Sequence, residues 1–116
     1  MNRSKVKRIT RLVLRIILGV LLLLAASGKF TMSEIWIQRF NEWGYPKGFH
    51  IVTGILEAAA AILIFIPKYW LKGVYLTLAI MIAAALTHLL NGEADQLLGP
   101  GIYMILIGIL ILLRKD

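Results

Sequence analysis

Three ionisable residues stand inside or at the edge of long apolar stretches of this 116-residue sequence: Lys29, Glu57 and His88. A charged side chain held away from water is costly unless it is paired, hydrogen-bonded or neutralised. Glu57 should therefore have a partner, for which Lys29 and His88 are the two candidates. Such a cluster can bind a ligand or a proton, or it can fasten helices together, and the sequence leaves both hypotheses open.

Spacing adds a polar helix face around Glu57. His50, Thr53 and Glu57 stand at positions i, i+3 and i+7, so they share one face of a helix. That face should point into the protein, because lipid offers no hydrogen bonds. A rise of about 1.5 Å per residue puts Glu57 roughly two turns inside its segment, in the outer half of a membrane. The side chains expected to contact a ligand in that half are Lys29, Glu57, His88, Thr53 and Tyr103.

Two arginines, Arg11 and Arg15, lie near the start of the first apolar segment. Long basic side chains in such positions extend to the membrane surface, so contact with lipid headgroups is the first hypothesis. The alternative is a quinone or lipid site in the inner leaflet.

Composition excludes or disfavours several kinds of chemistry. The chain has no cysteine, so it can form no disulfide, no thiolate nucleophile and no cysteine-bound iron–sulfur cluster. Its two histidines lie in different segments without an HExxH pattern or a paired-carboxylate array, so no metal site is expected. The sequence identifies no catalytic residue. No cofactor is expected to be intrinsic, and redox activity would need one from outside the chain.

Four apolar segments make up most of the chain. Hydrophobic residues account for 59 % of it, far more than a soluble domain of this size buries. Turn residues such as Gly44-Tyr45-Pro46 and Asn91-Gly92 separate the segments. We predict an all-α membrane protein, a bundle of four transmembrane helices that forms a single membrane domain over residues 1–116. The spans are expected at about 9–28, 49–66, 70–90 and 98–113, with the first retained rather than cleaved as a signal peptide.

The basic residues predict the orientation of the chain. They give a net charge of +7, but they stand at the ends of apolar segments, which is typical of membrane proteins and argues against nucleic-acid binding. Most of the 13 lysines and arginines fall on the side of the two termini, and only Lys29, Arg39 and Lys47 fall on the other. Both termini are therefore predicted to be cytoplasmic. The expected location is the bacterial cytoplasmic (inner) membrane, with a multi-pass chain whose first partner is the lipid bilayer.

A fifth, amphipathic helix is predicted between the first two spans, at about 33–43. Ser33 can cap its start, and Trp36, Phe40 and Trp43 recur at i, i+4 and i+7 before Gly44 ends it. The aromatic face fits an interfacial helix lying flat on the outer membrane surface. The alternative is a lid folded over a pocket in the bundle.

Four short motifs, in order, resemble the DoxX and DoxX-like family of small membrane proteins. Residues 54–60 contain a Gly-x-x-Glu helix motif and residues 84–89 an Ala-x-x-Thr-His motif, while residues 29–31 and 44–46 are similar to the family's span-end and turn motifs. One departure is Ala26, where the family often has glycine three residues before the lysine. The resemblance implies a four-helix bundle over nearly the whole chain. The polar positions that it implies are Arg15, Lys29, Glu57 and His88.

The resemblance implies several functions. Members of the family include a membrane subunit of a thiosulfate:quinone oxidoreductase, a membrane partner in an oxidative-stress complex, and animal proteins that assist receptor assembly. The bundle is also similar to that of vitamin K epoxide reductase, which binds a quinone, although that enzyme's cysteines have no counterpart here. The leading hypothesis is that the bundle binds a quinone or another small lipophilic molecule in its outer half, as the membrane subunit of a redox complex.

Two other hypotheses remain. In the first, the protein is a non-enzymatic interaction or assembly factor: the polar cluster is structural, and the helix surfaces with the 33–43 helix contact a client membrane protein. In the second, it is a proton-coupled carrier, which would need to form a homodimer.

Overall fold

Five α-helices and one short 3₁₀ helix make up the part of the chain that this computed structural model describes, residues 2–115. No β-strand occurs among those residues, so the predicted all-α class is confirmed. The helices are α1 (Arg3–Thr31), α2 (Ser33–Glu42), α3 (Phe49–Phe65), α4 (Trp70–Leu90) and α5 (Leu98–Leu112), with the 3₁₀ helix Ala94–Gln96 between the last two.

Helix α1 begins well before the apolar segment that the sequence pointed to. Asn2 caps it by accepting a 2.8 Å hydrogen bond from the backbone N–H of Lys5, and the basic residues that follow are good helix formers. At the other end, Met32 N–H donates to the carbonyl of Gly28, and α2 starts at once. The 29-residue helix is about 43 Å long, and its first residues, 3–8, form a basic extension ahead of the apolar segment.

Two helices, α1 and α4, are long and apolar enough to cross a membrane. Helices α3 and α5 are also apolar but have only 17 and 15 residues, or about 25 and 22 Å. Large aliphatic side chains are exposed along the outside of these helices, including Leu24, Ile62 and Ile105. Such extensive apolar exposure is expected of a chain surrounded by lipid.

The four longer helices pack around one core. Helix α1 lies chiefly against α3, α3 lies against α4, and α5 contacts both α4 and α1. Fully buried aliphatic residues from every one of them meet in the centre. Representative members are Leu18, Leu22, Ile64, Val74, Ile107 and Leu110.

Glycines set the closest helix contacts. A Cβ on Gly73 of α4 would lie 2.7 Å from the backbone oxygen of Ala60, so only glycine lets α3 and α4 approach this closely. On the other side of α3, a Cβ on Gly54 would lie 3.3 Å from the Cβ of Lys29. This contact brings α1 against α3 one turn before Glu57, and so it places the lysine beside the carboxylate.

Candidate functional site

Lys29 and Glu57 form a buried ion pair between α1 and α3. Lys29 Nζ lies 2.8 Å from Glu57 Oε1, and the two side chains are only 9 % and 4 % exposed. Of the two partners predicted for Glu57, the structure therefore gives it Lys29. The close approach of α1 and α3 at Gly54 explains why Lys29 and Glu57 meet.

The pair leaves hydrogen-bonding capacity unused. Although the ammonium is near, Glu57 Oε1 is buried and receives no hydrogen bond of normal geometry. Lys29 Nζ also lies over the ring of Trp36, 4.4 Å from its centroid, in a cation–π contact. A buried carboxylate oxygen without a well-formed hydrogen bond is rare in folded proteins and is a natural acceptor for a ligand.

A cavity of about 440 Å³ adjoins this ion pair, which lines part of its wall. Volumes of this order suit small organic molecules, and most of the lining is aliphatic or aromatic. We call this space the α2 cavity. It brings together all five residues predicted to contact a ligand: Lys29, Thr53, Glu57, His88 and Tyr103.

Trp36 and Phe40 of α2, with Trp43 directly after it, also line the α2 cavity, and we call these three aromatic side chains the aromatic roof. Phe40 is 7 % exposed and its ring centroid lies 5.2 Å from that of Trp43 and 5.3 Å from that of Tyr45. The aromatic face thus points into the protein. This arrangement is the one expected of a lid, and the position of α2 relative to a membrane surface stays a prediction.

His88 does not contact Glu57 directly but pairs with another acid. Its Nδ1 lies 2.8 Å from Glu93 Oε1, and the same oxygen accepts a 3.1 Å hydrogen bond from Trp43 Nε1. The Trp43 and His88 rings also make an edge-to-face contact, with centroids 5.5 Å apart. Of the two candidate partners of Glu57, His88 is therefore not the one that the structure gives it, because the turn after α4 folds Glu93 back onto the imidazole.

Glu93 is the residue that the sequence reasoning missed. It follows His88 by five residues, across the turn at Gly92, and nothing in an exposed loop acid signals such a contact. The hydrogen bond from His88 lowers the pKa of the Glu93 carboxyl below its usual value, and Trp43 and the charge of Arg39 act in the same direction. Partial burial opposes them.

A model of the DoxX-like family matches residues 13–110 of the chain. The chain belongs to the DoxX-like family. No curated protein and no solved structure matches it. Family membership, together with two helices long and apolar enough to cross a membrane, indicates that this DoxX-like chain is a membrane protein. The matched residues include Lys29, Glu57, His88 and Glu93, and hence both the ion pair and the His88–Glu93 hydrogen bond at the α2 cavity.

The two lesser polar residues of the DoxX-like site are both tied to backbone. Thr53 Oγ1 donates to the carbonyl of Phe49 at 3.1 Å, and Tyr103 donates its hydroxyl to the carbonyl of Leu21 at 3.1 Å. Each oxygen keeps a free lone pair for a ligand. His50, the third member of the predicted polar face, is 5 % exposed and packs edge-on against Phe40 rather than lining the cavity.

At the opposite end of the DoxX-like protein, Arg11 and Arg15 of α1 bind backbone carbonyls. Arg15 donates from Nε and Nη2 to the carbonyl of Ile64, at 3.1 and 2.9 Å, and its guanidinium lies over the Trp70 ring. Arg11 Nη1 donates to the carbonyl of Leu113 at 2.8 Å. These contacts satisfy one carbonyl in the last turn of α3 and the carbonyl that follows α5. The headgroup contact predicted for both arginines stays a prediction beside these internal partners.

Among residues 2–115 of the DoxX-like chain, no three histidine, aspartate or glutamate side chains lie together in a way that could hold a metal ion. The polar groups that line the α2 cavity and could contact a ligand include those of the Lys29–Glu57 pair, His88, Thr53 and Tyr103.

Proposed function

We propose that this DoxX-like protein binds a quinone, or another small lipophilic molecule with a polar ring, in the α2 cavity. One observation carries the proposal: a buried carboxylate oxygen without a well-formed hydrogen bond, Glu57 Oε1, stands beside an ammonium in the wall of an otherwise apolar space of about 440 Å³. A ligand with hydrogen-bonding oxygens on an apolar body would complete that site.

The ion pair suits both redox forms of a quinone. Lys29 can donate a hydrogen bond to the carbonyl of the oxidised form, and Glu57 can accept one from the hydroxyl of the reduced form. The ring would lie against the aromatic roof, where offset or edge-on contacts are favourable. Since the chain has no cysteine, electrons would be exchanged with a partner protein, and the chain would serve as the membrane subunit of a redox complex.

The proposed setting is the bacterial inner membrane, with α1, α3, α4 and α5 all crossing it and both termini in the cytoplasm. Helices α3 and α5 are short for this purpose, and local thinning of the bilayer or tilting of the longer helices would accommodate them. In this orientation the α2 cavity lies in the outer half of the membrane, and the basic extension of α1 lies in the cytoplasm.

The test is quinone binding by the purified protein in lipid nanodiscs. Glu57→Gln and Lys29→Met should each weaken binding by about tenfold or more, because the first replaces a charged acceptor with a neutral one and the second removes the charged donor. Thr77→Val is the matched control, since Thr77 is a fully buried polar residue of α4 that does not line the cavity. Equal affinities for the wild type and the two site variants would refute the proposed site.

A structural role is the second candidate, and the direct contact of the ion pair favours it. Lys29 and Glu57 join α1 to α3, so they could fasten the helices of a non-enzymatic assembly protein without binding any ligand. This role predicts that no lipophilic molecule raises the melting temperature of the protein. Quinone binding predicts a rise that increases with ligand concentration.

A further inference from the structure

Glu93 connects two side chains of the α2 cavity without lining the cavity itself. Its Oε1 accepts from Trp43 Nε1 at 3.1 Å and lies 2.8 Å from His88 Nδ1, and both of those side chains are in the cavity wall. Trp43 belongs to the aromatic roof and His88 to the last turn of α4. One carboxylate oxygen therefore fixes the positions of Trp43 and His88 relative to each other.

The contact also determines which ring nitrogen of His88 carries hydrogen. An ionised carboxylate can only accept hydrogen bonds, and the lowered pKa of Glu93 keeps it ionised near neutral pH. Nδ1 must then be the protonated nitrogen. In the neutral imidazole, Nε2 has no hydrogen and presents a lone pair.

The hydroxyl group of the neighbouring Thr87 already makes two hydrogen bonds within the protein. Thr87 Oγ1 donates to the carbonyl of Ala83 at 2.8 Å, so in its hydrogen bond with Tyr45 the tyrosine must be the donor. One of the two lone pairs of Thr87 Oγ1 is thus in use. Beside it, His88 Nε2 is the nitrogen with a lone pair for a ligand.

We infer that Glu93 is a positioning residue of this site: by holding His88 as the Nδ1–H tautomer, it makes the histidine a hydrogen-bond acceptor that selects ligands bearing a hydroxyl. The inference rests on the proposed function and names its ligand class more closely, as the reduced, phenolic form of a lipophilic ring. A carbonyl has no hydrogen to give Nε2, whereas a phenolic hydroxyl does.

The first experiment needs no ligand. With ¹⁵N-histidine labelling, the two histidines give a simple NMR spectrum, and His50→Gln identifies the signals of His88. At pH 8 the wild type should show the Nδ1–H tautomer. Glu93→Ala, with Glu93→Ser as a second variant, should shift His88 towards the Nε2–H tautomer that free imidazole rings favour, whereas Glu93→Gln should preserve Nδ1–H because its amide oxygen still accepts. An unchanged tautomer in Glu93→Ala and Glu93→Ser would overturn the inference.

The second experiment compares a hydroquinone with its dimethyl ether. The wild type and Glu93→Gln should prefer the hydroquinone by about tenfold or more, and Glu93→Ala should keep only the part of that preference that Glu57 supplies. Asp95→Ala, an exposed acid two residues away, is the control and should keep the full preference. A preference as large in Glu93→Ala as in the wild type overturns the inference. Absence of binding by the wild type would refute the proposed function instead, while the tautomer measurement would still decide the role of Glu93.

Discussion

At the level of single residues, the Lys29–Glu57 pair is the feature with the clearest energetic cost, because both charges are buried. Two charges have left water, and each is tolerated only because the other lies 2.8 Å away. Removing one partner leaves the other as an unpaired charge in apolar surroundings. Removing both charges at once leaves no such penalty.

Single and double substitutions of this pair should therefore differ sharply. We expect Lys29→Met and Glu57→Gln each to lower the free energy of unfolding by about 3 kcal/mol, and the double variant to recover most of that loss. Reversible unfolding of the three variants in mixed micelles measures the effect. Additive losses in the double variant would show that the two residues do not act as a pair.

The contacts of Glu93 with Trp43 and His88 should make the stability of the folded protein depend on pH. The pKa of Glu93 is lower in the folded protein than in the unfolded chain, where a glutamate titrates near 4.3. The stability that it contributes is therefore fully present above that unfolded value and is lost as the pH falls through the lower, folded one.

The difference in melting temperature between the wild type and Glu93→Gln should accordingly shrink as the pH is lowered below about 4. Glu34→Gln, an exposed acid of α2, is the control and should show a much smaller trend. A difference that grows on acidification would contradict the assigned role of the carboxylate.

Lys29, Glu57 and His88 were predictable because ionisable residues stand out against apolar flanks. The partner of Glu57 was predictable only as one of two candidates, since the choice depends on which helices touch. Glu93 was not predictable, because its contact depends on the turn at Gly92, which has a positive φ of 68°.

At the level of helices, small residues decide the packing. Gly73→Ala would place a methyl group 2.7 Å from the carbonyl oxygen of Ala60 and 2.8 Å from the backbone nitrogen of Ile64. The two helices must then separate, which should cost about 1–3 kcal/mol.

Gly108→Ala is the matched comparison within α5, because nothing lies within 4 Å of the added carbon. It should leave stability unchanged or raise it by up to about 1 kcal/mol. Denaturant titration of both variants checks the difference. Equal effects would show that the close α3–α4 contact is not what fixes the helix spacing.

The sequence predicted α2 but not its contacts. An aromatic face at i, i+4 and i+7 is equally suited to lipid and to a protein cavity, so amphipathicity alone could not choose between an anchor and a lid. The buried ring of Phe40 and the bond from Trp43 to Glu93 are tertiary contacts, and they orient the face inward.

At the scale of the whole molecule, charge and apolarity are separated along the chain. Basic residues cluster at the start of α1, between α3 and α4, and after α5, whereas four of the six acids lie between α1 and α3 or between α4 and α5. Helix bounds were largely predictable, since apolar runs end at glycine and proline. The start of α1 was not, because a helix continues through basic residues as readily as through apolar ones.

Cysteine labelling tests the proposed topology directly, because the chain has no cysteine of its own. In intact cells, Lys47→Cys should react with a membrane-impermeant maleimide. Lys68→Cys, in the loop between α3 and α4, should react only after the membrane is permeabilised. The reverse pattern would invert the orientation, and equal reactivity would contradict four crossings.

The central claim is that a lipophilic molecule occupies the α2 cavity, and tryptophan fluorescence measures this most directly. Trp36 and Trp43 line the cavity, whereas Trp70 lies against Arg15 at the other end. In nanodiscs, a quinone should quench a variant that retains only Trp43 saturably, and a variant that retains only Trp70 weakly and without saturation. The Lys29→Met and Glu57→Gln substitutions should each move the saturable part to quinone concentrations about tenfold higher or more. Equal, unsaturable quenching of Trp43 and Trp70 would contradict the account.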